Sequence, residues 1–546
     1  MAWAVGAAGL AQAGEGGAAD LVLIARRVVT LDDARPTAEA IAVRDGRIAW
    51  VGAADAAAAH IGPATRVLRL PEAVIVPGLV DSHAHLVGLG RAMAELDLVG
   101  STSAAEVAAK VAAAPGEGWL QGRGWDQNDW ADTAFPTHAP LSAAAPGRPV
   151  ALRRIDGHAL WVNDTAMRRA GIDAKTPDPP DGRLLRDAAG APTGVLIDGA
   201  MALVQRHVPP PTDVDVRAWA LAAVARCHAV GLTGVHDAGA SAQMVRVFRA
   251  LAAEGALRFR VHVLLDGDDP EIEPLVAAGP VDDAFVAVRG VKLFADGALG
   301  SRGAWLGAPY ADAPDTAGIP IVHGARLEAL VARYAKAGFQ VGVHAIGDAA
   351  AHDALDAFEA VGPRGVALRF RLEHAQVVRP ADRDRMARLG VLALVQPTHA
   401  TSDMPWAERR LGAERVRWAY AWRSLRTAGV RLALGSDFPV ERPNPLDGLY
   451  AAITRQDAAG SPPGGWYPGE RLSAEEALRG YTVDAAYAAF VERRRGRIAP
   501  GQDADLTVLS ADPLAATPPM LRDARVLGVV VAGRPAGALD RASTDP

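Results

Sequence analysis

Eight apolar segments spread over residues 73–497 constrain the fold of this chain more than any other feature. Each is rich in Val, Leu and Ile and ends in polar or turn-forming residues, and helical segments such as Leu327–Ala337 and Ala349–Ala360 lie between most of them. Strands that alternate with helices in this way predict an α/β fold, a parallel (β/α)8 barrel of the TIM type. The predicted strands are Val74–Asp81, Leu232–Asp237, Arg258–Leu265, Val288–Phe294, Gln340–His344, Phe370–His374, Val391–Gln396 and Arg431–Ser436.

Short apolar segments at both ends of the chain predict a second, smaller domain. Residues 20–31, 40–51 and 65–70 are rich in Val, Ile and Leu, and residues 504–509 and 525–531 resemble them. Neither set can form a sizeable sheet alone, so we expect a composite β-sandwich from residues 19–72 and 498–540, with the barrel over residues 73–497. Two unrelated β segments are the alternative. A chain of 546 residues also exceeds the usual size of a single core.

The gap between the first and second predicted barrel strands is too long for one crossover helix. It contains predicted strands of its own, Trp119–Gly124 and Pro149–Arg154, and Pro-rich loops such as residues 176–182. We therefore expect an inserted subdomain over about residues 118–211 that caps the barrel mouth. Farther along, Ser473 and Glu476 have the spacing of a capping box, which predicts a helix that runs through Phe490.

Charge and composition exclude several classes of partner. The chain has 57 Lys and Arg against 63 Asp and Glu, so it lacks the basic excess that nucleic acid or an anionic membrane would require. Its single cysteine, Cys227, cannot form an internal disulfide and is expected to be a buried structural thiol.

Residues 1–18 form a leader with a signal-peptidase-like Ala11-Gln12-Ala13 but without basic residues. We expect a cytoplasmic protein, and export from a truncated signal peptide is the alternative.

Residues with side chains that could serve a metal site lie in or just after five of the eight predicted barrel strands. In a (β/α)8 barrel the carboxyl ends of all strands meet at one face, so these side chains are expected to converge. Each of them alone could be structural, but several imidazoles and a carboxylate at one face favour a Zn2+ site. The residues are His83 and His85 after the first strand, Lys292 on the fourth, His344 on the fifth, His374 on the sixth and Asp437 after the eighth.

The motifs around these residues resemble those of the metal-dependent amidohydrolase superfamily, in the family 3 branch that includes formamide deformylases. The resemblance rests on residues 80–86, 156–163, 292–302, 344–348, 373–376 and 435–440. It implies a (β/α)8 barrel with a terminal β-sandwich. It also implies one or two Zn2+ ions, or another divalent metal, held by His83, His85, Lys292, His344, His374 and Asp437.

Lys292 fits such a metal site only in modified form, because an ammonium group repels a cation. The resemblance implies that its amine carries a CO2-derived carbamate, whose two oxygens bridge two metals. The alternative is an unmodified lysine paired with Asp296 or with Asp437. The resemblance also implies that Asp437 is the general base, which takes a proton from a metal-activated water and passes it to the leaving nitrogen. The alternative for Asp437 is a helix cap.

The resemblance implies hydrolysis of a carbon–nitrogen bond in a small molecule, of amide, N-formyl, N-acyl or carbamate type, by a metal-activated hydroxide. A mononuclear-metal deaminase of the same superfamily is one alternative, although it would lack a bridging lysine. A non-catalytic scaffold protein is another, although it would have lost metal ligands. We expect no nucleic-acid or membrane partner, and a homodimer is one option for assembly. The residues predicted to contact the substrate, each with a structural alternative, are His158, Asp126, Trp125, Arg302 and His399.

Overall fold

The structure is a computed structural model that describes residues 17–541. The leader predicted over residues 1–18 therefore lies almost wholly outside the described residues. Within them, strands form a terminal sheet, an inserted sheet and a barrel sheet. No helix in residues 17–541 has the length and apolar character needed to cross a bilayer.

The barrel sheet confirms the predicted (β/α)8 fold. Neighbouring strands pair in parallel and in chain order from first to eighth. Backbone hydrogen bonds close the ring, because the amide of Asp437 donates to the carbonyl of His83 at 2.8 Å and that of His85 to Phe438 at 2.9 Å. The strands are Leu79–Ala84, Leu232–Ala240, Arg260–Asp266, Val286–Phe294, Gln340–Ala345, Arg371–His374, Leu392–Val395 and Leu432–Leu434.

The start of the first barrel strand differs from the prediction. The apolar residues before Gly78 belong to a strand of the terminal sheet, Arg66–Pro77, and the barrel strand starts at Leu79. The chain passes between the two sheets at Gly78, whose amide donates to the carbonyl of Asp505 at 2.8 Å. A Cβ atom at Gly78 would lie 2.4 Å from the hydroxyl of Thr233, so only glycine fits this close approach.

The terminal sheet joins the two ends of the chain. Its central strand, Arg66–Pro77, pairs in parallel with Leu21–Val29 and antiparallel with Leu506–Leu509. Buried apolar side chains from both ends, including Leu23 and Leu506, pack in one cluster beneath it. In spatial order the strands are Arg534–Ala536, Val526–Val531, Leu506–Leu509, Arg66–Pro77, Leu21–Val29, Thr37–Arg44 and Arg47–Gly52.

The inserted sheet follows the first barrel strand and helix. It starts before residue 118, because its edge strand is Leu96–Asp97, which pairs in parallel with Leu120–Trp125. Apolar side chains fill one of its faces, and the rings of Trp125 and Trp161 lie 5.7 Å apart there. In spatial order the strands are Gly182–Arg186, Pro192–Asp198, Ala159–Val162, Val150–Arg154, Leu120–Trp125 and Leu96–Asp97.

The capping box at Ser473 and Glu476 is present, but the helix it opens ends at Gly480. A second helix covers Val483–Ala488, and Phe490 lies outside it with a φ of 63°, so the prediction of one helix through Phe490 is wrong. The α-helices are Leu86–Ala94, Ala104–Ala113, Ala139–Ala144, Asp164–Ala170, Ala202–Gln205, Asp213–Ala229, Ala242–Ala253, Glu273–Ala278, Gly324–Lys336, Asp348–Val361, Pro363–Leu368, Pro380–Leu389, Pro397–Asp403, Ala407–Arg415, Trp422–Thr427, Pro445–Thr454, Ala474–Gly480, Val483–Ala488 and Pro518–Arg522.

Candidate metal centre and active site

Three side chains at the carboxyl face of the barrel form a cluster with metal-ligand spacing. Nitrogen atoms of His83 and His374 and an oxygen of Asp437 all lie within 4.8 Å of one another. Nε2 of His83 and Oδ1 of Asp437 are buried without a hydrogen-bond partner, and they lie 3.5 Å apart. Buried polar atoms without a partner cost free energy, so a ligand is expected to satisfy them. An imidazole and carboxylate donor set of this kind fits a divalent metal such as Zn2+.

The three other predicted ligands lie around this cluster. Nε2 of His85 is 3.2 Å from Oδ1 of Asp437, and the ring centroid of His344 is 4.5 Å from that of His374. Nζ of Lys292 lies 4.5 Å from the ring centroid of Phe294. All six predicted ligands line one cavity of about 490 Å³. The structure thus brings the whole predicted set together, and metal binding by it stays a prediction.

Lys292 is buried, with 1% of its surface exposed. It forms no ion pair with Asp296, Asp437 or any other carboxylate of residues 17–541. Asp296 instead accepts three backbone N–H groups from the loops after the fourth and fifth strands. Burial lowers the pKa of Lys292 from its ordinary value, although the charges of Glu373 and Asp437 act in the opposite direction. The structure therefore shows no ion pair that would hold an unmodified ammonium.

A buried network that the sequence did not predict orients His83. Nδ1 of His83 hydrogen-bonds to Oε2 of Glu373 at 2.5 Å, and Nε of Arg371 donates to Oε1 of the same carboxylate at 2.7 Å. Arg371 and Glu373 have no exposed surface. Burial would raise the pKa of Glu373, but the charges of Arg371 and His83 hold it well below its usual range. Glu373 thus leaves Nε2 of His83 as the free ring nitrogen.

Asp437 is held in an unusual backbone conformation, with a φ of 59°. Its neighbour Ser436 is fixed by Asp81, which accepts the Ser436 hydroxyl at 2.6 Å and the His83 amide at 3.2 Å. Burial raises the pKa of Asp81 to about 7. For Asp437 burial acts in the same direction, but the close contact with the ring of His85 and the charge of His83 hold its pKa well below the usual value. Asp437 is therefore a carboxylate in this setting.

His374 is oriented by Gln396, a second residue that the sequence did not predict for the site. Nδ1 of His374 lies 3.0 Å from Oε1 of Gln396, which follows the seventh barrel strand. Because this contact uses Nδ1, Nε2 is the ring nitrogen of His374 that remains for the cluster. Nε2 of His83 remains in the same way, because Glu373 binds Nδ1 of that ring.

Three of the predicted substrate-contact residues line a second, adjoining cavity of about 710 Å³, which also borders His374 and Asp437. His158 hydrogen-bonds through Nδ1 to Asp198 at 2.7 Å. Nε2 of His399 is buried without a hydrogen-bond partner and lies 4.0 Å from Oδ2 of Asp437. Asp126 also lines this cavity, but Oδ1 of its carboxylate is bound by Arg154.

The other two predicted substrate contacts, Trp125 and Arg302, line neither cavity. The indole of Trp125 is fully buried and donates to the carbonyl of Leu152 at 2.8 Å. Its apolar surface packs on other tryptophans in the core of the inserted sheet, which explains its position. Arg302 forms an ion pair with Asp312 at 3.0 Å, and the same carboxylate also pairs with Arg410, so substrate contact by Arg302 stays a prediction.

The barrel and the ligand cluster agree with the comparison to known families. Residues 70–536 match the family model described as the amidohydrolase family. The chain belongs to this family. The match spans the inserted sheet, the barrel and the C-terminal strands of the terminal sheet, and it confirms the resemblance seen in the motifs.

Relatives cover nearly the full length of this amidohydrolase. YtcJ of Bacillus subtilis (strain 168), named as an amidohydrolase, is 37% identical over 510 residues, which are 91% of this chain and 95% of YtcJ. The N-substituted formamide deformylase of Arthrobacter pascens is 31% identical over 541 residues, 94% of this chain and 97% of the relative. An uncharacterized metal-dependent hydrolase from Pyrococcus horikoshii OT3 has a structure with a TM-score of 0.74 and 26% identity, covering 91% and 99% of the two chains. This amidohydrolase is thus a hydrolase of the metal-dependent superfamily.

Proposed function

We propose that this amidohydrolase cleaves a carbon–nitrogen bond in a small molecule, of amide, N-formyl, N-acyl or carbamate type. The observation that carries the proposal is the pair of buried, unpartnered atoms at the barrel mouth, Nε2 of His83 and Oδ1 of Asp437, 3.5 Å apart. The similarity to a formamide deformylase over 97% of that protein supports this choice of bond.

The proposed metal is Zn2+ or another divalent ion, as one ion or a pair. When bound, such an ion supplies Lewis acidity, which polarises a carbonyl group and makes water more acidic. Its proposed ligands are six of the side chains that line the cavity of about 490 Å³, namely His83, His85, Lys292, His344, His374 and Asp437. Lys292 is proposed to carry a carbamate, because a buried ammonium without a counter-ion is unfavourable and would repel the metal.

Asp437 is the proposed general base. Its Oδ1 has no hydrogen-bond partner, and Nε2 of His85 lies 3.2 Å from it. As a carboxylate, it accepts a proton from the attacking water and delivers it to the leaving nitrogen, which would otherwise depart as an unstable anion. The backbone hydrogen bond from the amide of Asp437 to the carbonyl of His83 holds this residue in place during the transfer.

His158 and His399 are proposed to hold the substrate on the side of the larger cavity. Asp198 binds Nδ1 of His158, which leaves the second ring nitrogen of His158 for a substrate group. The unpartnered Nε2 of His399 lies in the wall of the same cavity. Two imidazoles on this wall suit hydrogen bonds to a carbonyl oxygen or an amide nitrogen.

Amine release from a defined substrate panel tests this function. Zn2+-loaded protein is incubated with N-formyl, N-acyl and carbamate compounds and, as a second class, with aminated heterocycles that a deaminase would use. We expect release of the amine from at least one compound of the first class, and loss of that release in Asp437→Asn. Release of ammonia from heterocycles alone would contradict the proposal.

A further inference from the structure

Two arginines face each other on neighbouring strands of the inserted sheet. Arg123 in Leu120–Trp125 and Arg153 in Val150–Arg154 are direct register partners in a parallel pair. Because side chains alternate along a strand, both project to the same side of the sheet. The intervening positions, Gly122 and Leu152, belong to the opposite side, where Leu152 packs into the apolar core.

Neither arginine has a carboxylate partner within residues 17–541. Nη2 of Arg123 donates to the carbonyl of Ile155 at 2.5 Å, and Nη1 of Arg153 donates to that of Gly157 at 3.2 Å. Nε of Arg123 is buried and has no partner at all. Like charges placed side by side are unfavourable in a sheet unless something of opposite charge lies between them.

Two carboxylates that line the cavity beside the arginines, Asp156 and Glu95, are already bound to other groups. Oδ1 of Asp156 accepts the amide of His158 at 3.0 Å, and its Oδ2 is paired with Arg154. Oε1 of Glu95 accepts Nε of Arg91 at 2.5 Å. Burial and the charges of Arg123 and Arg91 lower the pKa of Arg153 to about 10, although the charges of Glu95 and Asp156 act in the opposite direction.

Both arginines line the same cavity of about 490 Å³ that contains the six proposed metal ligands. The cavity therefore has the proposed reaction centre at the barrel strands and a pair of guanidinium groups on the inserted sheet. Arg153 also borders a neighbouring cavity of about 420 Å³, which extends the space beyond the pair.

We propose that Arg123 and Arg153 form a subsite for a carboxylate group of the substrate. The proposal rests on the proposed function, and it narrows the substrates to compounds that carry a carboxylate in addition to the scissile carbon–nitrogen bond. Two guanidinium groups offer several N–H donors in a fixed arrangement that matches the oxygens of a carboxylate. Arg302, which the sequence suggested for substrate contact, does not line this cavity and pairs with Asp312.

Ligand binding without turnover tests the subsite separately from catalysis. The Zn2+-loaded Asp437→Asn protein is titrated by calorimetry with N-acyl and N-formyl amino acids and with the matching neutral carboxamides. We expect each acid to bind roughly 10- to 100-fold more tightly than its amide, as charge-assisted hydrogen bonds would provide. Arg123→Gln and Arg153→Gln, each added to Asp437→Asn, should remove most of this preference and leave amide binding nearly unchanged.

Two further variants keep the test decisive. Arg123→Lys keeps the charge but loses the fork of donors, so it should retain part of the preference for acids. Arg168→Gln is the matched control, since Arg168 is an exposed residue of the inserted segment that pairs with Asp164 on its own helix. It should bind acids and amides as the parent does.

Equal binding of acids and amides by the parent protein would overturn the subsite, and so would a preference for acids that survives both Gln substitutions. A failure of the proposed function would look different. In that case the parent would bind acids through the two arginines, but the active enzyme would release no amine from any of the compounds.

Discussion

Replacing Glu373 with glutamine tests the buried network that orients His83. The carboxylate of Glu373 accepts from Nδ1 of His83 on one oxygen and from Nε of Arg371 on the other. An amide of the same shape has one oxygen and one NH2 group. Whichever way it is turned, an N–H donor therefore faces either the guanidinium of Arg371 or the ring N–H of His83.

The expected cost follows from the burial of the pair. Arg371 and Glu373 have no exposed surface, so Glu373→Gln leaves a buried guanidinium without its counter-ion. Removing one partner of such a pair lowers the free energy of unfolding by about 3–5 kcal/mol. Loss of a group that orients a metal-binding histidine reduces metal affinity by about 10- to 100-fold.

Two measurements check this prediction. Zn2+ affinity is measured by competition with a chromogenic chelator, and the free energy of unfolding is measured in urea. Glu359→Gln is the control, because that carboxylate forms its ion pairs with Arg385 and Arg388 on the surface. We expect the control to keep the metal affinity of the wild type. If Glu373→Gln matches the control in both measurements, the network does not support the metal centre.

Two other substitutions and one truncation have defined outcomes. Asp437→Asn should keep the fold by circular dichroism and lower turnover by about 10²–10⁴-fold, and near-normal turnover would show that Asp437 is not the base. Lys292→Ala should bind less metal than the wild type, counted by mass spectrometry, and lose activity; an unchanged metal count and rate would remove the bridging role. Truncation from Ala504 onward should give insoluble protein, because Leu506–Leu509 pairs with Arg66–Pro77, and a soluble product would contradict that requirement.

The barrel could be predicted because its strands carry a local signal. Apolar segments that end in polar residues mark each strand, and the helices between them are long enough to show in the sequence, as at Gly324–Lys336. The start of the first strand could not be predicted in the same way. The chain is apolar on both sides of Gly78, so composition does not reveal that it leaves one sheet and enters another there.

The candidate ligands could be predicted because barrel topology alone places strand ends together. The residues that orient them are harder to find, since the contact between His83 and Glu373 joins positions 290 residues apart. One signal was present in the sequence. Arg371 and Glu373 lie two positions apart on the strand that ends in His374, so their side chains point to the same side of the sheet. For Arg302 the sequence motif does not show the ion pair with Asp312 that the structure contains, and its contact with substrate stays a prediction.

The central claim is that the cluster of His83, His374 and Asp437 binds a divalent metal on which hydrolysis depends. The most direct measurement is the metal content of the purified protein together with its rate of amine release, before chelation, after chelation and after Zn2+ is added back. We expect the rate to fall with the metal content and to recover with Zn2+. Unchanged amine release by protein from which metal removal has been verified would contradict the account.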